Sequence, residues 1–416
     1  MGPITLFDKS FIQSLSVDES VWFDHFFLAN VCPLFYVETL ADLEKQVRKG
    51  RTQEEEVAMV ADKFPEMHGS PNAYHVELSI ADLAGHSVAM TGQIPLAGGR
   101  HVKVDGKRGI VFEQSPEAEA FIRWQRGEFL EIERLHAKAW REALSNLDLG
   151  KALEHYRAMG IAGKSCKSLD HAKALAEEIV TVQYVPLQVM RLLHLFLSIP
   201  WELNDQVFGR WRRASFPALA HHAPYAAHVL TVDLFFQLAL ASHLIGTERA
   251  SNRVDIAYLF YLPFCMIFVS SDRLHRCCAR LFLRSDQEFV WGPDLKKDLA
   301  NLNEYYSQLP DSTKNEGIFS FAPVPPKEGD FLIAQLWDRH FPKWRQRKQD
   351  QAAKQPLDEK KLIERLKRFR KAPGVPFDEE SLKMKNVDML SINRRVRKRK
   401  GSWWQVPEDL DVGDDD

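Results

Sequence analysis

One run of this 416-residue chain constrains its fold more than any other: Val254–His275, VDIAYLFYLPFCMIFVSSDRLH. Asp255 opens an apolar helical turn and a half, which Pro263 stops. Met266–Val269 is then a short continuous apolar run that breaks off into Ser270, Ser271 and Asp272. A strand covered on both faces, as in a buried parallel sheet, reads this way. A carboxylate just past its end lies on the edge where open α/β sheets place their ligands. The run therefore predicts an α/β fold, with Asp255 and Asp272 on one rim.

The N-terminus repeats the pattern. Ile4–Phe7 is a second short apolar strand ending in an acid, Asp8, followed by Lys9-Ser10-Phe11-Ile12. Val31–Val37 reads as an extended apolar run, and Glu38 follows it at the start of a helix, Thr39–Glu44. The order strand–Asp, strand–Glu–helix, Asp–helix–strand–Asp resembles that of the PIN-domain nucleases. The resemblance rests on LFDKSFI, PLFYVETLADL and VDIAYLFYLPFCMIFVSSDRLH. It implies a PIN-like parallel sheet flanked by helices, built from residues 1–45 and 246–320. Residues 46–245 would then be a mostly helical insertion with a short β-hairpin region, and 321–416 a linker, a charged helix and a basic then acidic tail. It also implies a metal-dependent endonuclease, with RNA slightly favoured over DNA. Two departures stand out: Lys9-Ser10 follows the first acid where the family has a small polar residue, and the stretch from Glu38 to Asp255 is unusually long.

Phosphodiester hydrolysis needs an activated water and a stabilised leaving oxygen, which Mg²⁺ or Mn²⁺ supplies as Lewis acid and template. Such hard ions take oxygen ligands, so carboxylates from separate elements suffice. Asp8, Glu38, Asp255 and Asp272 are the candidate catalytic and metal-binding residues. Asp42, one turn after Glu38, shares its helix face and is a substitute ligand. Ser270 or Ser271 would orient a metal-bound water, and Lys9 and Arg273 would contact a phosphate. Each acid has a plainer reading as a helix cap.

The net charge of −2 conceals a strong segregation. Residues 339–400 carry 21 Lys or Arg against 8 Asp or Glu, a net of +13, whereas 401–416 carry six acids and no base. Such a division suggests a polyanionic partner. Arg394, Arg395, Arg397, Lys398, Arg399 and Lys400 adjoin Trp403 and Trp404, combining phosphate-neutralising charge with stacking surface, as single-strand binders do. The acidic end would instead mask the basic run if it folded back.

Five cysteines (Cys32, Cys166, Cys265, Cys277, Cys278) at no metal-ligand spacing read as free thiols in a reducing cytoplasm. No secretory signal is expected at the N-terminus. The apolar stretches 180–200 and 225–245 carry Arg191, His194, His228 and Asp233, so they read as buried helices and no membrane partner is expected.

Between the two acid-bearing regions, Val102–Phe112 reads as a β-hairpin turning at Asp105-Gly106. Ser115-Pro116 opens a helix running to about Asn146. Gly160–Ser165 resembles part of a phosphate loop, but Ala158 stands where the pattern needs glycine, so a helix–helix turn is the better reading. His221, His222, His228 and Asp233 fit no standard ligand spacing. The proline-rich Ala322–Gly329 reads as a linker and domain boundary. Two other functions fit these features: a non-catalytic interaction protein working through the insertion, and a nucleic-acid binder working through 339–404. The reading leaves room for a protein partner on the insertion and for a homo-oligomer.

Overall fold

Ile4–Phe7 (β1) is wholly buried and is the middle strand of a five-stranded sheet. The computed structural model describes residues 2–46, 50–96, 98–151, 154, 166–181, 186–197, 199–346, 359–376 and 389–409. Lys9–Ser14 (α1) follows β1, capped by the Asp8 side chain, which accepts from the Phe11 N–H. Val17–Phe26 (α2) begins with a capping box between Ser16 and Glu19. It leads into Leu28–Val31 (β2), and Pro33 then opens Pro33–Leu40 (α3). The expected extended run at Val31–Val37 is therefore helix over most of its length. Pro33 suits a first helical position, where its missing N–H has no partner to lose.

Gly69–Pro71 (β3) adds to the sheet edge beside β2, although it falls in the stretch read as an insertion. Arg100–Val104 (β4) and Lys107–Phe112 (β5) form the expected hairpin, with Asp105 and Gly106 both at positive φ in its two-residue turn. Ile267–Ser270 (β6) pairs with β1, and Glu288–Trp291 (β7) pairs with β6. All sheet neighbours run parallel in the order β3-β2-β1-β6-β7. The chain winds outward in one direction from β1 to β3, then returns to the other side of β1. The switch point lies between β1 and β6.

Helices cover both faces. Pro224–Ala241 is the one helix among the described residues long and apolar enough to cross a membrane, but nearly every residue of it is buried in the core. The helix expected from Ser115 to Asn146 is two, Pro116–Gln125 and Glu131–Asn146, broken near Gly127 at φ 73°. Pro263 does not stop its helix either, since a 3₁₀ segment carries Tyr258–Phe264 through it.

Past the proline-rich stretch 322–329 the chain continues into the main core. Ala322 is fully buried, and the Leu332–His340 helix beyond it buries Ile333, Leu336 and Trp337 in the main core. The Trp337 indole N–H donates to the Phe26 carbonyl at 3.0 Å. Met389–Ile392 (β8) pairs parallel with β5, so the C-terminal segment returns to the hairpin. Gly160–Ser165 and the terminal acids Asp414–Asp416 lie outside the described residues.

Candidate active site

Pairing register places the first two acids. Phe7 stands opposite Val269 in the β1–β6 ladder, so Asp8 comes to lie beside Ser270. The Ser270 hydroxyl donates to Asp8 Oδ2 at 2.7 Å, and Ser10 donates to the same oxygen at 2.6 Å. Asp8 Oδ1 accepts from the Phe11 N–H at 3.0 Å. Two residues beyond Ser270, Asp272 caps the Arg273–Phe282 helix by accepting from the Leu274 N–H at 2.6 Å. Gly292 lies against Ser270 and Ser271, where any Cβ would collide with the Ser271 hydroxyl, so β7 can turn into its helix close beside the site.

His275 is a residue that the sequence reading passed over. It sits one turn into the same helix and is wholly buried. Its Nε2 lies 2.6 Å from the Asp255 carbonyl, which can only accept, so Nε2 carries a hydrogen. Its Nδ1 lies 2.7 Å from Ser270 Oγ and 3.5 Å from Asp8 Oδ2. With the Ser270 proton committed to Asp8, Nδ1 is a donor as well, and the ring is an imidazolium. Burial acts to lower the His275 pKa, but the Asp8 hydrogen bond and the charges of Asp8 and Asp255 outweigh it and raise it to about 9. Reciprocally, burial would raise the Asp8 carboxyl, but His275, Ser10 and Ser270 hold it below the usual range.

Glu38 reaches the site from α3. Its Oε2 accepts from the Tyr258 hydroxyl at 2.5 Å. Burial raises its pKa against the opposing charge of Lys9 and the Tyr258 hydrogen bond, and the Asp8 charge adds to the rise. Asp255, on the Asn252–Ala257 helix, is pushed up to about 7, chiefly by burial, with Asp272 and Glu38 adding to the rise and His275 opposing it. Among the described residues, its Oδ2 is buried without a hydrogen-bond partner, and so is the Ser271 hydroxyl. The four acids thus gather at the carboxyl edge, at the switch point, within electrostatic reach of one another in the order Asp8, Glu38, Asp255, Asp272.

The donors suit a hard cation in kind, and the orphaned Asp255 oxygen is an atom that a cation would satisfy. Asp255, Asp272 and Glu38 would hold it, because both Asp8 oxygens already accept hydrogen bonds. Among the described residues, however, no three or more His, Cys, Asp or Glu side chains form a ready-made metal cage. That holds for His221, His222, His228 and Asp233 too. His222 Nε2 faces Arg210, His228 faces the Leu259 carbonyl, and Asp233 pairs with Arg253 at 2.6 Å.

Lys9 does not face the edge. Its ammonium lies 2.5 Å from Asp42 and donates to the Glu38 carbonyl at 2.9 Å. Asp42 also faces Arg141 at 3.4 Å, so it serves as a structural anchor and not as a substitute ligand. Arg273 is exposed at the first turn of its helix.

Much of the basic run is turned inward. Arg394 donates to the carbonyls of Met67 and Gly69. Arg397 pairs with Asp62 at 2.5 Å and Glu66 at 2.6 Å, and the buried Lys400 donates to the Phe64 carbonyl at 2.7 Å. Trp403 is buried with its ring 4.7 Å from that of Trp22, and its indole N–H donates to Asn303. Residues 394–404 therefore act as a strap across the domain. Arg395 and Arg399 remain exposed and Lys398 half-buried, while the Arg399 guanidinium lies 5.3 Å from the centre of the half-buried Trp404 ring.

Comparisons with family models, curated proteins and solved structures return no match to this chain.

Proposed function

We propose that the carboxyl edge of the sheet is a phosphodiester-hydrolysing site that takes Mg²⁺ or Mn²⁺, acting on RNA or DNA. The observation that supports this most is the placement of Asp8 and Asp272 at the ends of adjacent parallel strands, with Glu38 and the unpartnered Asp255 oxygen beside them. A bound cation would supply Lewis acidity and an activated water. The chain's own residues do the rest. Tyr258 orients Glu38, Ser270 links Asp8 to His275, and the His275 imidazolium keeps Asp8 ionised in a buried position.

The saturation of Asp8 by Ser10, Ser270, Phe11 and His275 favours a second reading, a non-catalytic protein retaining this architecture with an internal cation in place of a metal. Incubation with labelled single- and double-stranded RNA and DNA, with Mn²⁺, Mg²⁺ or chelator, separates the two. Cleavage that needs metal and is lost in Asp272→Asn supports hydrolysis. Intact substrate under every condition, from a folded protein, supports the second reading.

A further inference from the structure

The Arg273–Phe282 helix starts at the acid cluster, since Asp272 is its N-cap. His275, Cys278 and Ala279 are buried and turn one side of it onto the core. Its exposed residues are Arg273, Arg276, Cys277 and Arg280. At about 3.6 residues per turn the three arginines fall within roughly 60° of one another, so they form one stripe on the outer face. Beside the stripe is a concavity of about 470 Å³, with Arg276, Arg280, Leu283 and Phe289 in its lining.

These charges do not hold the molecule together. The carboxylates of this region are already taken: Asp286 pairs with Arg284 at 2.9 Å, and Glu288 with Arg339 and His340, each at 2.9 Å. Among the described residues, none pairs with Arg273, Arg276 or Arg280. The Arg276 guanidinium lies instead 4.9 Å from the centre of the Trp291 ring. Trp291 ends β7 opposite Ser270, so this contact keeps Arg276 near the carboxyl edge. Arg273 occupies the first helical position, where the helix dipole disfavours a cation, and Arg276 and Arg280 are like charges one turn apart. Uncompensated local costs of this kind are expected at functional surfaces.

Carboxylates at the sheet edge repel a phosphate backbone, so a strand to be cut there needs cations alongside to hold it. From Arg273 to Arg280 the helix rises about 10 Å, room for about three phosphates at the roughly 3.4 Å axial spacing of one strand. We infer that the Arg273, Arg276 and Arg280 stripe is a backbone track, which docks a nucleic-acid strand by its phosphates beside the acid cluster. The inference rests on the hydrolytic reading above and gives its substrate a docking surface that reads charge and not sequence.

The test is fluorescence anisotropy of the full chain with labelled ten-nucleotide RNA and DNA, single-stranded and duplex, in chelator and at several salt concentrations. Wild type is compared with Arg276→Gln/Arg280→Gln and with Arg395→Gln/Arg399→Gln, an equal loss of charge on the strap. All four arginines are exposed, so both variants should fold, which melting curves check. The expected result is binding that weakens by about tenfold in Arg276→Gln/Arg280→Gln, with a salt slope of log Kd shallower by about 1.4–1.8, as two lost phosphate contacts require. The strap variant should bind as wild type does. Unchanged binding in Arg276→Gln/Arg280→Gln, an equal or greater loss in the strap variant, or no binding by a folded protein overturns the inference. So does displacement of the strand by polyglutamate at an equal concentration of charge, because the surface would then suit an acidic protein as well. Arginine-dependent binding without any cleavage in metal would sink the hydrolytic reading and leave the track standing. Cleavage in metal with binding untouched by Arg276→Gln/Arg280→Gln would do the reverse.

Discussion

His275 Nδ1 stands 3.5 Å from Asp8 Oδ2, the histidine wholly buried and the aspartate 3% exposed. Ser270 bridges the two at 2.7 Å on either side. Removing one partner from a buried pair leaves the other charge uncompensated, which typically costs about 3–5 kcal/mol. His275→Phe is therefore expected to destabilise the protein by about that amount in urea unfolding. Asp8→Asn added to it should recover part of the loss, because the stranded carboxylate is gone. Independent, additive effects in that double variant would show that the pair is not coupled.

Among the described residues, Tyr258 is the one side chain that holds Glu38 by a short hydroxyl donor. Tyr258→Phe keeps the ring and removes the donor, so a buried carboxylate loses its partner. A loss of about 1–3 kcal/mol in chemical denaturation is expected. A variant as stable as wild type would mean that Glu38 finds another donor.

His228 is half-buried against the Leu259 carbonyl, and desolvation of its ring, opposed by that hydrogen bond, lowers its pKa to about 4. Its folded pKa lies below the ordinary 6.5, so the unfolded chain takes up the proton first. The stability it contributes is present above pH 6.5 and is lost as pH falls toward 4. A variant without this imidazole, His228→Gln, should therefore lose less stability than wild type between pH 6.5 and 4. The difference is on the order of 2–3 kcal/mol, read from unfolding curves across that range. Parallel pH profiles for the two proteins would contradict this.

The strap makes a separate prediction. Trp403→Ala removes a buried indole packed edge-on against Trp22 and should cost about 3–5 kcal/mol. Arg399→Gln, at an exposed position, should change stability by no more than about 0.5 kcal/mol. If both variants are neutral in thermal unfolding, residues 394–404 do not brace the domain.

The two central strands were legible because β1 and β6 are short, apolar and buried on both faces, and each ends abruptly in polar residues. The hairpin was legible from Asp105-Gly106, whose positive φ values few other pairs accept. Val31–Val37 misled because Pro33 and a run of apolar side chains fit a buried helix as well as a strand. Only the contact of that helix with the core decides between them. Gly69–Pro71 has no strand pattern at all and joins the sheet by pairing with β2, a tertiary choice. The basic segment shows the limit of charge counting. Arg397 and Lys400 look like free cations until Asp62, Glu66 and the Phe64 carbonyl are brought alongside from more than 300 residues away. His275 carried no signal of its own, since its role comes from the β1–β6 register that sets Ser270 beside Asp8.

The most direct measurement of the central claim is titration of the full chain with Mn²⁺, followed by the loss of free-ion paramagnetic resonance signal, for wild type and for Asp255→Asn and Asp272→Asn. The account predicts binding by wild type that weakens at least tenfold in each variant, since each loses a carboxylate at the switch-point edge. Unchanged Mn²⁺ uptake in both variants, or none in a folded wild type, would contradict it.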